Sequence, residues 1–259
     1  MFKALHVFMQ GKGGVGKSFC ANMLMQYMIE QGMSVIGLDS DPSNQTLASF
    51  KGLDVTVMDI IENQDNVQIG ALDKLIEIIS LYNGSTSSDD TSGILDVGSS
   101  NYIQTLNYLS SKRLGGLSIL QDGLNIRVVF HVPIIGGEAY DDCWSNFNEM
   151  CFNFPNCDFV LWINNYPNRV FNSTLTLEKQ KEYIANQDRV KGIVDLPLFE
   201  PTTDGKSLRL ILNKNLTFAE VANLGSAIDN RSLTVIEIYR GKRVKTAIFN
   251  AIDVIKGIL

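Results

Sequence analysis

A chain of 259 residues, 45% of them hydrophobic, can bury one large α/β core or two small ones. Its net charge of −6 argues against a protein that coats nucleic acid with its whole surface, but leaves room for a local basic patch. No apolar run approaches the ~20 residues of a membrane span. The start of the chain leads straight into a strand and a glycine-rich loop, without room for a cleavable signal. Cys20, Cys143, Cys151 and Cys157 form no C-x-x-C pair and have no ligand-like spacing to His6 or His131. They are expected to be reduced thiols packed as small hydrophobes in a cytoplasmic protein.

The first strand is expected at Leu5 to Met9 and the first helix at Phe19 to Gln31, where Met23, Leu24, Tyr27 and Met28 recur at helical spacing and Gln31-Gly32 supplies a stop. Between them Gly11, Lys12, Gly13, Gly14, Val15, Gly16, Lys17 and Ser18 fit the phosphate-loop spacing of glycine, four residues, then Gly-Lys-Ser, in the required strand-to-helix context. Glycines let backbone N–H groups approach a phosphate, Lys17 adds a point charge and the Ser18 hydroxyl can ligate Mg²⁺. The following helix, opening at Phe19, turns its positive dipole end toward the same place. An ordinary phosphate loop has no need of Lys12.

A short apolar strand at Ser34 to Leu38 ends in Asp39-Ser40-Asp41-Pro42, which puts two carboxylates where parallel sheets bind ligands. A strand at Asp54 to Met58 and a helix at Val67 to Tyr82 come next, followed by a flexible internal loop over 83–92. The run Gly93-Ile94-Leu95 leads to Asp96, a strand-end carboxylate able to hold waters of a Mg²⁺ shell, and to Gly98, which permits a phosphate-dependent rearrangement. Ile126 to Ile135 reads as a strand with Pro133 marking its end and His131 as a hydrogen-bonded core residue. A helix with Trp144, Phe147 and Met150 follows, then a strand at Phe159 to Asn164, a helix at Thr176 to Ala185 and a strand at Val190 to Val194 before Leu196-Pro197. Helices after Asp204 and Thr217 flank a loop at Asn213 to Leu216, and a long helix starts near Leu233. The alternation predicts one α/β domain over 1–259, a mainly parallel twisted sheet of about seven strands with helices on both faces.

The loop K-G-G-V-G-K-S resembles the deviant Walker A motif of the P-loop family that contains the ParA and MinD ATPases, the nitrogenase iron protein and the dethiobiotin synthetase relatives. The resemblance implies an ATP-dependent homodimer in which Lys12 reaches the phosphates bound by the partner subunit. It implies that Asp41 orients the attacking water, so that Lys12, Lys17 and Asp41 are catalytic, and that Asp39 and Asp96 join Ser18 around Mg²⁺. Asn164 corresponds to the asparagine presented to the adenine base, and the pair Leu196-Pro197 to residues framing it. F-H-V-P-I-I-G-G-E-A-Y-D-D at 130–142, W-I-N-N-Y at 162–166 and L-T-F-A-E at 216–220 are similar to plasmid-encoded members, the TraL conjugal-transfer and StbB plasmid-stability proteins, although an Asn-Tyr-Pro run after the base-side strand departs from their pattern.

The implied function is a slow ATPase switch that binds ATP and ADP and recruits a protein or DNA partner. The alternative is a nucleotide-binding docking module with negligible turnover. Electron transfer of the nitrogenase kind is not expected, because it needs a cysteine soon after Asp96-x-Gly98 and no cysteine lies between Cys20 and Cys143. Arg240, Lys242, Arg243 and Lys245 form the densest basic cluster, a candidate for nonspecific DNA phosphates, with a solvated helix face as the plainer reading.

Overall fold

The computed structural model describes residues 1–41, 44–58, 61–63, 66–67, 69–84, 90–166, 169–172, 175–223 and 233–259. Its strands are β1 (Phe2–Phe8), β2 (Ser34–Asp39), β3 (Val55–Val57), β4 (Ile61–Asn63), β5 (Asn66–Val67), β6 (Thr91–Asp96), β7 (Arg127–Ile135), β8 (Asp158–Asn164) and β9 (Val190–Leu196). The helices are α1 (Lys17–Glu30), α2 (Ile69–Gly84), α3 (Tyr102–Ser110), α4 (Gly116–Ser118), α5 (Tyr140–Asn153), α6 (Lys181–Asn186), α7 (Asp204–Asn213), α8 (Phe218–Asn223) and α9 (Val235–Ile252).

Seven strands pair in the order β3-β2-β6-β1-β7-β8-β9, every pair parallel. Near-continuous apolar runs such as F-V-L-W-I in β8 need cover on both faces. One face packs Phe8, Val129, Val160 and Trp162 against α1, α7, α8 and α9; the other packs Leu5, Val7, Phe130 and Phe159 against α2, α3 and α5. β1 lies between β6 and β7 while the chain runs from β1 to β2, so the connection reverses direction beside the end of β1. Such a switch point opens a crevice at the carboxyl ends of the strands.

Several expected boundaries move. β6 begins at Thr91 and α2 runs to Gly84, so the loop expected over 83–92 is shorter at both ends; 85–89 lie outside the described residues. Pro133 does not end β7 but sits inside it, paired with Trp162 of β8. Its nitrogen points to the β1 side, as its carbonyl does in accepting from Gln10 Nε2, and β1 pairs no further than Phe8 with His131. The missing N–H therefore falls where the β1–β7 ladder ends, just past the bond from Met9 N–H to the His131 carbonyl at 3.2 Å. The helix expected at 176–185 is split into a 3-10 turn, Leu177–Lys179, and α6. Residues 99–123, where no element was expected, hold α3, α4 and a π turn at Ile119–Gly123.

Beneath α1 lies a buried polar chain. Trp162 Nε1 donates to His131 Nδ1 at 2.9 Å, and His131 Nε2 meets His6 Nδ1 at 2.9 Å. Indole can only donate, so neutral His131 carries its proton on Nε2 and donates it onward to His6. Burial lowers the pKa of both rings, that of His6 to about 4. The unfolded chain then takes up protons below pH ~6.5 while the folded chain does not, so the histidines' share of stability is present above that pH and is lost as pH falls toward 4, by about 1.4 kcal/mol per pH unit for each ring. They are the chain's two histidines. Imidazole NMR signals should accordingly show no titration between pH 7.5 and 5; a midpoint near 6.5 for either would mean that a charged ring is tolerated in this core.

Candidate functional site

The site is built where β1, β2 and β6 end. After β1 the chain must turn sharply into α1, and Gly14 (φ 75°) and Gly16 (φ 92°) take left-handed conformations that other residues adopt only at a cost. Among the described residues, no group accepts from the backbone N–H of Gly13, Gly14, Val15 or Gly16. Together with the N-terminus of α1 they form a concave array of donors suited to phosphate. Two braces hold the loop. Gln10 donates to the carbonyls of Pro133 and Cys143 at 3.2 Å and accepts from Asn146 of α5, while Asn164 donates to the Val15 carbonyl at 3.1 Å.

The two loop lysines differ in environment. Lys17 is 7% exposed, and its Nζ donates to the Lys12 carbonyl at 3.4 Å. Burial lowers its pKa, while the charges of Asp96 and Asp41 act in the opposite sense. Lys12 is exposed and pairs with Asp142 of α5 at 2.8 Å, which raises its pKa.

Asp39 and Asp96 are adjacent partners at the ends of β2 and β6. Burial pushes the Asp96 carboxyl up to about 7, the neighbouring Asp39 and Asp41 charges add to this, and Ser18 and Lys17 oppose it. Neither Asp96 oxygen has a hydrogen bond of good geometry despite the nearby Ser18 hydroxyl. An orphaned buried carboxylate beside a phosphate cradle fits a cation shell. Among the described residues no group of three or more His, Cys, Asp or Glu could hold a metal.

Asp39 is buried and spends both oxygens on backbone, accepting from Asp41 N at 3.1 Å and Ala48 N at 3.0 Å. Burial raises its pKa against the lowering effect of those bonds. It thus anchors the loop that carries Asp41, whose own carboxylate accepts from Asn44 N at 3.0 Å. Pro42 of the same motif lies outside the described residues. Gly98 packs directly on Asp41: a Cβ there would lie 3.0 Å from its Cα and Cγ.

Beside the loop opens a cavity of about 270 Å³, walled by Phe19, Leu196, Pro197, Phe199, Leu208 and Ile248. Its flat apolar walls suit a base. Asn164 lines it too, but its amide is engaged at both ends, accepting from Tyr166 N at 3.2 Å as well as donating to Val15. Two of the four basic residues of α9 form ion pairs with other elements. Arg243 pairs with Asp204 and Lys245 with Glu30, which leaves Arg240 and Lys242 without an ion pair among the described residues.

The family described as the CobQ/CobB/MinD/ParA nucleotide binding domain matches residues 6–253. The chain belongs to that family. Two Escherichia coli proteins named Protein TraL are 32% and 31% identical to it over 250 residues, 96% of this chain and 97% of theirs. A Borrelia burgdorferi structure described as a plasmid partition protein bound to AMPPNP superposes with a TM-score of 0.51 at 12% identity over 100% of both chains. A chain of the MinC:MinD cell division complex from Aquifex aeolicus does so with a TM-score of 0.50 at 12% identity, covering 94% of this chain and 96% of that one. The structural likenesses show the fold, and the family match makes the chain a nucleotide-binding domain of the ParA/MinD type.

Sequence reasoning did not find Gln10, Asn146, Asp142, Ser40 or Asn101. Gln10, Asn146 and Asn101 belong to no motif, Ser40 and Asp142 lie in stretches read for other residues, and the partners lie up to 136 positions away. The brace at Asn164 yields a test. A Cβ at Gly16 would lie 2.6 Å from Asn164 Nδ2, in a left-handed backbone, whereas a Cβ at Gly14 meets nothing within 4 Å. Gly16→Ala should therefore weaken nucleotide binding by about tenfold or more, and Gly14→Ala, with backbone strain alone, by less. Adding Asn164→Ala to Gly16→Ala should recover part of the loss in calorimetric titration.

Proposed function

We propose that this chain is an ATP-binding, slowly hydrolysing dimerisation switch that works in the cytoplasm in plasmid transfer or plasmid stability. The observation that carries this reading is the contrast between two lysines of one loop. Lys17 is buried among the site's own carboxylates, where it serves the phosphates of the nucleotide in its own cradle. Lys12 stands exposed in an ion pair that solvent screens. It can exchange Asp142 for the phosphates held by a second copy, whose approach needs the compensating charge. The relatives named TraL support the plasmid setting.

In this reading the loop N–H groups and Lys17 hold the β- and γ-phosphates, and the apolar cavity takes the adenine, bounded by Phe19 and Pro197. Ser18 and Asp96 would hold Mg²⁺, which supplies charge to neutralise the phosphate oxygens. Asp39 contributes from behind, through its charge and through the loop it anchors. Asp41, fixed by Asp39 and Gly98, orients a water for in-line attack on the γ-phosphate.

Lys17→Ala should lose nucleotide affinity in calorimetry, while Asp41→Ala keeps it and loses phosphate release by about 100-fold or more. Wild-type protein that binds ATP without releasing phosphate would instead be a docking module. Light scattering with a non-hydrolysable ATP analogue checks the dimer. Wild type should double in mass, and Lys12→Ala should bind the analogue yet stay monomeric. A monomeric wild type at roughly tens of micromolar, or a variant that dimerises equally well, removes the switch.

A further inference from the structure

The loop bearing Asp39 and Asp41 is tied to the turn after Asp96 through the residue between the two aspartates. Ser40 is fully buried, and both its N–H (3.0 Å) and its hydroxyl (2.9 Å) donate to the Asp96 carbonyl. Its own carbonyl accepts from Asn101 Nδ2 at 2.6 Å. Asn101, also fully buried, stands at the head of α3, and its backbone N–H donates to the Gly98 carbonyl at 3.0 Å. The four contacts close a loop from Asp96 to Ser40 to Asn101 to Gly98, and Gly98 in turn presses on Asp41.

We infer that Asn101 is a positioning residue, which clamps Ser40 between the two phosphate-facing turns and so fixes Asp41 over the γ-phosphate position. The inference rests on the ATPase reading above for its kinetic consequence, but not for the clamp itself. The amide has one workable orientation, since a flip would set two oxygens against each other at 2.6 Å. In that orientation Oδ1 remains buried without a partner. A side chain that leaves its own acceptor unmet while making one short donor contact is explained by what that contact holds, since an apolar residue of the same size would leave the buried Ser40 carbonyl without a donor. The contact falls on the carbonyl flanked by both aspartates. Every change in the turn after Asp96 is therefore passed to Asp41 by a rigid, buried route, with no charge exchanged.

Asn101→Leu, close in volume but without a donor, and Asn101→Ala test this beside wild type in the full chain. Nucleotide affinity should stay near wild type, and the melting midpoint should fall by about the few degrees that one unmet buried carbonyl costs. Phosphate release should fall by about 100-fold in kcat with KM little changed, as expected when a reacting group is displaced by about 1 Å. In the nucleotide-free protein, amide hydrogen exchange should quicken at Ser40, Asp41 and residues 44–48, with α3 unchanged. Unaltered exchange in that loop, or unaltered kcat, overturns the clamp. A purely structural role would instead quicken exchange throughout α3 and leave kcat of the folded protein unchanged. Should both variants fail to fold, Ser40→Ala, which removes the hydroxyl bond alone, must still loosen the same residues to a smaller degree, and level exchange there equally overturns the clamp. If wild type itself releases no phosphate, the ATPase reading fails while the exchange measurement still decides the clamp.

Discussion

A carboxylate with no hydrogen-bond partner, buried at the end of a central strand, is the constraint on which the rest of this structure depends. Asp96 is 1% exposed, and burial with two neighbouring aspartates pushes its pKa up to about 7. A buried charge of this kind is costly unless something compensates it. Lys17 and Ser18, delivered by the phosphate loop, do so in part, and neither Asp96 oxygen has a hydrogen bond of good geometry. On the proposed reading, a cation arriving with the nucleotide would complete this balance.

Parallel topology makes that concentration of acid possible. β2 and β6 are neighbours in register from Ser34 with Thr91 to Asp39 with Asp96, so both aspartates arrive at the same edge. The phosphate loop leaves β1 on the other side of β6 and reaches the same edge with its lysine. The two apolar faces, one packed by α1, α7, α8 and α9 and the other by α2, α3 and α5, hold the strands at fixed offset. Close packing leaves little room for gradual adjustment, so displacements at the site pass through defined contacts such as that between Gly98 and Asp41. Helix α5 belongs to the same unit: it braces the loop start through Asn146 and offers Asp142 to Lys12.

The cavity beside the loop has the opposite character. Its walls are mainly apolar, with Tyr166 and Arg209 also on the lining, and Asn164 is already engaged with the loop and with the backbone just after β8. A base would be held there chiefly by shape and stacking, with the phosphates contributing the charge recognition. Asn164 thus links the two halves of the site, since the side chain at the base end also fixes the curvature of the phosphate end.

By itself the sequence determined the sheet class, the helices on both faces, the phosphate loop and the strand-end positions of Asp39, Asp41 and Asp96. These are consequences of local pattern: apolar runs of strand length, helical periodicity, and glycine spacing that a tight turn requires. Tertiary structure alone decided what each group touches. That Pro133 lies within β7 depends on where β1 stops, and that Asn164 braces the loop depends on a residue 149 positions earlier. The basic residues of α9 looked like one cluster in sequence, but Arg243 and Lys245 turn to Asp204 and Glu30 on different elements. Asn101 left no trace in the sequence because its partner, the Ser40 carbonyl, is backbone, and any residue would supply it. Contacts of this sort are set by the distance between two turns in space, which local pattern does not encode.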